Sequence, residues 1–227
     1  MTRHLAVLVA LAVGVTSGAA GCSTSGGSAG TTHPSALAST APASAAPASA
    51  APLGSEAASG TCPTSPPPAL GAGEKRLVTI ETAKGKIQIT IEADLGPLAA
   101  GNFVALASCG FYDGLVFHRL VPGFVIQGGD PTGTGGGGPG YTFADDPVKV
   151  PYIRGVVAMA NAGPDTNGSQ FFIVLADAGL PPSYSIFGRV TSGIETVDAI
   201  AAMPNAGPPN NAAVTPLAMD KVTATTP

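Results

Sequence analysis

The chain has 227 residues, of which only 11% are charged where about 25% is usual for soluble domains, and its formal net charge is −4. No run of Lys or Arg builds the basic face that nucleic acid or an anionic lipid surface requires, so neither is expected as an electrostatic partner. The 31 glycines and 22 prolines imply that part of the chain is low-complexity and never packs.

The N-terminus carries a targeting pattern. Arg3 and His4 precede an apolar run from Leu5 to Val15, which has the length of a signal-peptide core. It is shorter than the roughly 20 apolar residues that span a bilayer. Thr16-Ser17-Gly18-Ala19-Ala20-Gly21-Cys22 follows. Small residues directly before a cysteine resemble the lipobox of bacterial lipoproteins, although Ala19 stands where such boxes usually carry Leu. The resemblance implies a signal peptide over residues 1–21, acylation of Cys22 and anchoring at the outer face of the cell membrane. Cleavage near Ala20, leaving Cys22 as a free thiol, is the alternative.

Residues 22–73 are mostly Ala, Ser, Pro, Gly and Thr, with Glu56 the one acidic residue and His33 carrying no implied chemistry. Such a stretch cannot bury enough apolar surface to offset its ordering entropy and reads as a disordered linker. Some fifty flexible residues would span roughly 40 Å, enough to hold a folded domain clear of a surface.

Residues 74–227 are expected to form one folded domain. Leu77-Val78-Thr79-Ile80-Glu81 and Ile87-Gln88-Ile89-Thr90-Ile91-Glu92 alternate with period two around the turn signal Lys84-Gly85-Lys86, which predicts a hairpin. Pro97 opens a helix to about Cys109, with Leu98, Phe103 and Leu106 on its buried side and Gly110 past its end. Short strands are expected over residues 116–119, 124–127, 155–159, 171–174, 186–190 and 219–223. Ser192 with Glu195 three positions on predicts a capping box ahead of a second helix. Many short strands with two helices indicate an all-β barrel or sandwich.

The chemistry lies in three blocks. Phe117-His118-Arg119-Leu120-Val121-Pro122-Gly123-Phe124-Val125-Ile126-Gln127-Gly128-Gly129-Asp130 comes first. Ala158-Met159-Ala160-Asn161-Ala162-Gly163-Pro164-Asp165-Thr166-Asn167-Gly168-Ser169-Gln170-Phe171-Phe172-Ile173 follows, then Phe187-Gly188-Arg189-Val190. In order and spacing these resemble the signature blocks of the cyclophilin-type peptidyl-prolyl cis-trans isomerases, and the resemblance extends from Val78 to Val222. It implies an eight-stranded antiparallel barrel capped by two α-helices, with the active site in a groove on the outer face. It further implies that Arg119 is catalytic. Phe124, Val125, Phe172 and Leu180 would line a proline pocket, with Tyr184 beside it, and Gln127, Ala160, Asn161 and Gln170 would hold the substrate backbone. Three departures bear on cyclosporin binding more than on isomerisation: the chain has no Trp, Tyr184 stands where His is common, and Val125 stands where Met is common.

Elementary chemistry agrees with that reading. Rotation about an Xaa-Pro bond faces a barrier of ~18–20 kcal/mol because amide resonance must be surrendered. No bond breaks, so no nucleophile, metal or cofactor is needed; the protein has only to bind the twisted amide better than either planar isomer. The expected partners are Pro-containing peptides and exported client proteins, and a monomer is expected. The alternative is a non-catalytic module that binds proline peptides at the cell envelope.

Other features read as structural. His118 precedes Arg119 on a strand and should face the other way. Gly133 to Gly138 formally fits G-x-G-x-x-G but runs into Pro139-Gly140, with no helix to receive a phosphate, and is expected as a loop beside the groove. Asn167-Gly168-Ser169 is a sequon by pattern, yet it lies inside a signature block, so glycosylation is not expected. The three Cys and three His show no metal-ligand spacing. If Cys22 is acylated, Cys62 and Cys109 are left, either paired as a disulfide or as two free thiols.

Overall fold

The computed structural model describes residues 61–227. The expected signal peptide, Cys22 and the linker as far as residue 60 lie outside the described residues.

Alternating apolar residues build the first hairpin. β1 (Lys75–Thr82) and β2 (Gly85–Glu92) pair antiparallel, with Thr82 opposite Gly85, so Ala83 and Lys84 make the turn. Val78, Ile80, Ile87, Ile89 and Ile91 all point into the core and are fully buried. α1 (Pro97–Ser108) starts with proline at its first turn, where no backbone N–H is missed. Gly96 at its N-cap offers no side chain, and the cap comes from far along the chain. The Asp146 carboxylate accepts from the amides of Leu98 (3.2 Å) and Ala99 (2.8 Å). Burial raises the Asp146 pKa despite those two bonds.

β3 (Val116–Val121), β4 (Val125–Asp130), β5 (Val156–Met159), β6 (Phe171–Val174) and β7 (Ile186–Ser192) follow, then α2 (Ile194–Ala201), β8 (Ala212–Ala218) and β9 (Lys221–Thr225). The strands form one antiparallel sheet in the order β8-β3-β4-β6-β5-β7-β2-β1-β9. Its two edges, β8 and β9, are consecutive in the chain and separated only by Met219 and Asp220, so the sheet must curl round on itself. Phe103 of α1 fills the interior, its ring centroid 5.0 Å from Tyr112, 5.1 Å from Phe171 and 4.8 Å from Phe187. Burying a side chain of that size contributes ~1.5–3 kcal/mol. Leu106 is buried with it, while Leu98 is only partly covered.

Three expectations are corrected. The sheet has nine strands rather than eight: β8 has poor strand signals, with Pro216 inside it and mostly exposed residues, features tolerated only at a sheet edge. The capping box at Ser192 and Glu195 does not form. Ser192 ends β7, and Gly193 is the cap, with φ +81° and no side-chain bond. Only glycine fits there, because a Cβ would collide with the Lys86 carbonyl oxygen. Finally, residues 62–70, expected as linker, lie against α1. Leu70 donates to the Pro97 carbonyl (3.0 Å), the Pro68 carbonyl sits where a Cβ on Gly101 would be, and Cys62 is disulfide-bonded to Cys109 at the α1 C-cap.

Candidate active site

The groove is organised by strand register. Arg119 on β3 stands opposite Gln127 on β4, Gln127 opposite Phe172 on β6, and Phe172 opposite Ala158 on β5. Directly opposed residues share a face, so Arg119, Gln127 and Phe172 emerge in one row across three strands. Simple alternation would put Phe117 on that face too. A register shift between Phe117 and Arg119 prevents this: Phe117 is fully buried in the core, while Arg119 opens to the groove. The bulge re-aims the guanidinium.

A chain of amides holds that guanidinium. Arg119 Nη1 donates to Gln127 Oε1 (3.3 Å), and Gln127 Nε2 donates to Gln170 Oε1 (3.0 Å). Gln170 Nε2 in turn donates to the carbonyls of Gly135 (3.0 Å) and Gly137 (2.9 Å). The glycine-rich segment is therefore a loop beside the groove. Its own anchor is the buried Asp130 carboxylate, which accepts from the amides of Thr132 and Gly135; these bonds, with others to the loop, keep its pKa below the usual carboxylate value despite burial. Among the described residues no carboxylate forms an ion pair with Arg119. The guanidinium opens to the groove, and its described side-chain partner is a neutral amide.

Beside Arg119 is a cavity of about 140 Å³ lined by Phe124, Val125, Gln127, Ala160, Asn161, Phe172, Leu180 and Tyr184. Nine of the ten groove residues named from the sequence thus meet at one cavity, and Gln170 reaches it through Gln127. Tyr184 crosses Phe172 edge to face, with ring centroids 5.5 Å apart. Asn161 Nδ2 donates to the Ser183 carbonyl (2.7 Å), and the Ala160 amide donates to the Gln170 carbonyl (2.9 Å). A larger cavity of about 650 Å³ adjoins it between the glycine-rich loop and residues 160–170. Partly apolar walls, a guanidinium held by an amide rather than a carboxylate, and polar side chains beside them suit a neutral, extended peptide. Among the described residues no cluster of His, Cys, Asp and Glu could hold a metal ion.

His118 occupies the bulge. It is 6% exposed, and neither ring nitrogen has a hydrogen-bond partner. Burial, the largest influence, lowers its pKa against the opposing Asp130 charge and Val116 backbone, with the Arg119 charge adding a smaller push the same way as burial. A lowered folded-state pKa means that the unfolded chain binds more protons between the two values. The stabilisation is complete above the unfolded value of about 6.5 and is lost as pH falls through the folded value. The expected result is that wild type loses stability relative to His118→Gln between pH 7.5 and acid pH. Denaturant unfolding of both proteins across that range would refute it by giving a constant difference. The sequon is closed: Asn167 is fully buried, and its amide nitrogen donates to the carbonyls of Phe143 and Ala144 and to Asp145.

Comparison with known proteins identifies a family. Residues 77–224 match the family described as cyclophilin type peptidyl-prolyl cis-trans isomerase/CLD. The chain is 44% identical to peptidyl-prolyl cis-trans isomerase-like 3 of Dictyostelium discoideum over 133 residues, 56% of this chain and 83% of that protein. It is 42% identical to the probable peptidyl-prolyl cis-trans isomerase A of Mycobacterium leprae over 168 residues, 64% of this chain and 90% of the relative. The crystal structure of a cyclophilin type peptidyl-prolyl cis-trans isomerase from Cryptosporidium parvum superposes with a TM-score of 0.63 at 34% identity, covering 67% of this chain and 99% of that one. A structure of that Cryptosporidium parvum protein in the presence of the dipeptide Ala-Pro superposes with a TM-score of 0.62. The curled antiparallel sheet, the row of groove residues and the matched span together place this chain in the cyclophilin-type peptidyl-prolyl cis-trans isomerase family.

Proposed function

We propose that the groove binds an Xaa-Pro peptide with the prolyl ring in the small cavity, and that Arg119 speeds rotation by donating to the prolyl nitrogen. That nitrogen's lone pair is released from resonance only as the amide twists, so the bond strengthens toward the transition state and is weak in either planar isomer. Phe124, Val125, Phe172, Leu180 and Tyr184 would clamp the ring. Gln127, Ala160, Asn161 and Gln170 would hold the flanking backbone, so that one side of the bond turns against the other. The observation that carries this reading is the guanidinium, without an ion-pair partner among the described residues, beside a cavity walled in part by aromatic and aliphatic side chains. Proline-peptide binding draws further support from the related structure determined with Ala-Pro. The test is two-dimensional NMR exchange on an Xaa-Pro peptide. Cis-trans exchange accelerated by catalytic amounts of the chain supports the assignment, whereas binding without acceleration would leave a peptide-holding module.

The N-terminal pattern supports export, anchoring through an acylated Cys22 and exported proteins as clients. Mass spectrometry of the mature protein is expected to find Cys22 as the N-terminal residue, carrying acyl chains. A mature N-terminus at Gly21 with an unmodified thiol would remove the anchor.

A further inference from the structure

The loop between β6 and β7 brings Leu180 and Tyr184 to the small cavity, yet little within it keeps it in place. Gly179, Pro181, Pro182 and Ser183 are exposed, and the two prolines have no amide to donate. Its described internal backbone bond runs from the Ser183 amide to the Pro181 carbonyl (2.7 Å). One residue, Tyr152, holds the loop from outside at both ends, and the Asn161 side-chain amide adds a bond to the Ser183 carbonyl (2.7 Å). The Tyr152 carbonyl accepts from the Ala178 amide (2.9 Å). The Tyr152 hydroxyl accepts from the Tyr184 amide (3.0 Å) and donates to the Tyr184 carbonyl (2.8 Å). A single hydroxyl thus satisfies both the N–H and the C=O of Tyr184, which lies at a bend ahead of β7.

Tyr152 is itself fixed. It is 3% exposed, lies just ahead of β5 and belongs to the apolar cluster that includes Val156, Phe172 and Ile186. Its ring meets that of Tyr184 edge on, with centroids 6.3 Å apart. Tyr184 then crosses Phe172, so where the Tyr152 hydroxyl holds Tyr184 is where that wall of the cavity stands. Burial raises the hydroxyl's pKa, which keeps it protonated and able to donate. We propose that Tyr152 is a positioning residue for the isomerase: by pinning both ends of the 178–184 loop it sets the width of the prolyl cavity and hence the affinity for Xaa-Pro substrates. This inference rests on the isomerase reading above.

The test is Tyr152→Phe, which keeps the ring and removes the hydroxyl. Losing the hydroxyl's grip on Tyr184 is expected to raise KM about five- to tenfold with kcat changed less than twofold. Hydrogen exchange at the Tyr184 amide should accelerate while the amides of Met159 and Ile173 keep their protection. A purely structural role would instead lower the melting temperature and loosen all three amides together, with KM unchanged. An unchanged KM, or an unchanged Tyr184 exchange rate, overturns the proposal. Should Tyr152→Phe fail to fold, wild type decides: the Ala178 and Tyr184 amides must exchange more slowly than that of Leu180, and equal rates overturn it. A wild type that accelerates no peptide would sink the isomerase reading alone, because the exchange comparison and the affinity for an Xaa-Pro peptide still report on the loop.

Discussion

Replacing Arg119 by alanine is expected to lower kcat/KM for an Xaa-Pro peptide at least tenfold while leaving the fold intact. A hydrogen bond from a charged donor contributes ~1.5–3 kcal/mol net, which corresponds to about ten- to 150-fold in rate at room temperature. The whole task is larger. Taking a rotation with a time constant of about 100 s to about 10³ per second requires five decades, or ~7 kcal/mol. Arg119 can therefore supply only part, and the apolar clamp and the amide row must supply the remainder. The fold should survive because Arg119 is only half-buried and leaves behind no stranded charge: its contact is the Gln127 amide, which keeps its bond to Gln170. Arg119→Lys is expected to recover little, since a single ammonium lacks the planar fork that can hold Gln127 and reach substrate together. Activity of Arg119→Ala within twofold of wild type in the NMR exchange assay, with an unchanged melting temperature, would remove Arg119 from the mechanism.

Reducing the Cys62–Cys109 disulfide, or replacing both cysteines by serine, is expected to cost ~2–4 kcal/mol of unfolding free energy. The bond closes a loop across a sequence separation of 47 residues, and the chain-entropy argument sets an upper figure of ~4 kcal/mol for a loop of that length. The loop contains β1, β2 and α1, so the restriction on the unfolded chain reaches the elements that form the first half of the core. Release should also free residues 62–70 from α1, where only the Leu70 to Pro97 bond and local packing would hold them. Guanidinium unfolding of oxidised and reduced chain reads the first effect, and amide exchange at Leu70 the second. Coincident unfolding midpoints would mean that the staple adds nothing.

Much of this molecule is legible from local pattern. The hairpin follows from strict alternation between Leu77 and Glu92, because a period of two allows only one face to be apolar. α1 follows from Pro97 and the spacing of Phe103 and Leu106. The groove residues were legible for a different reason: mixed strings such as Phe117 to Asp130 carry a family pattern that no propensity generates. β8 was not legible, since Pro216 within it argues against a strand until an edge position makes it acceptable. The start of α2 misled in the opposite direction. Ser192 and Glu195 satisfy a local rule, but the close approach of Lys86 selects Gly193 as the cap instead.

The amino-acid sequence by itself determined the apolar periodicities of the first hairpin and α1, and the family blocks that carry Arg119 and its neighbours, since all of these are written within a few residues. Only the tertiary structure decided that a bulge at His118 turns Arg119 out while Phe117 turns in, that Asp146 caps a helix 48 residues away, and that the Tyr152 hydroxyl takes both backbone bonds of Tyr184. Each of these depends on a partner distant in the chain. Neither alternation nor propensity contains that partner, and it exists only once the sheet has curled and brought it there.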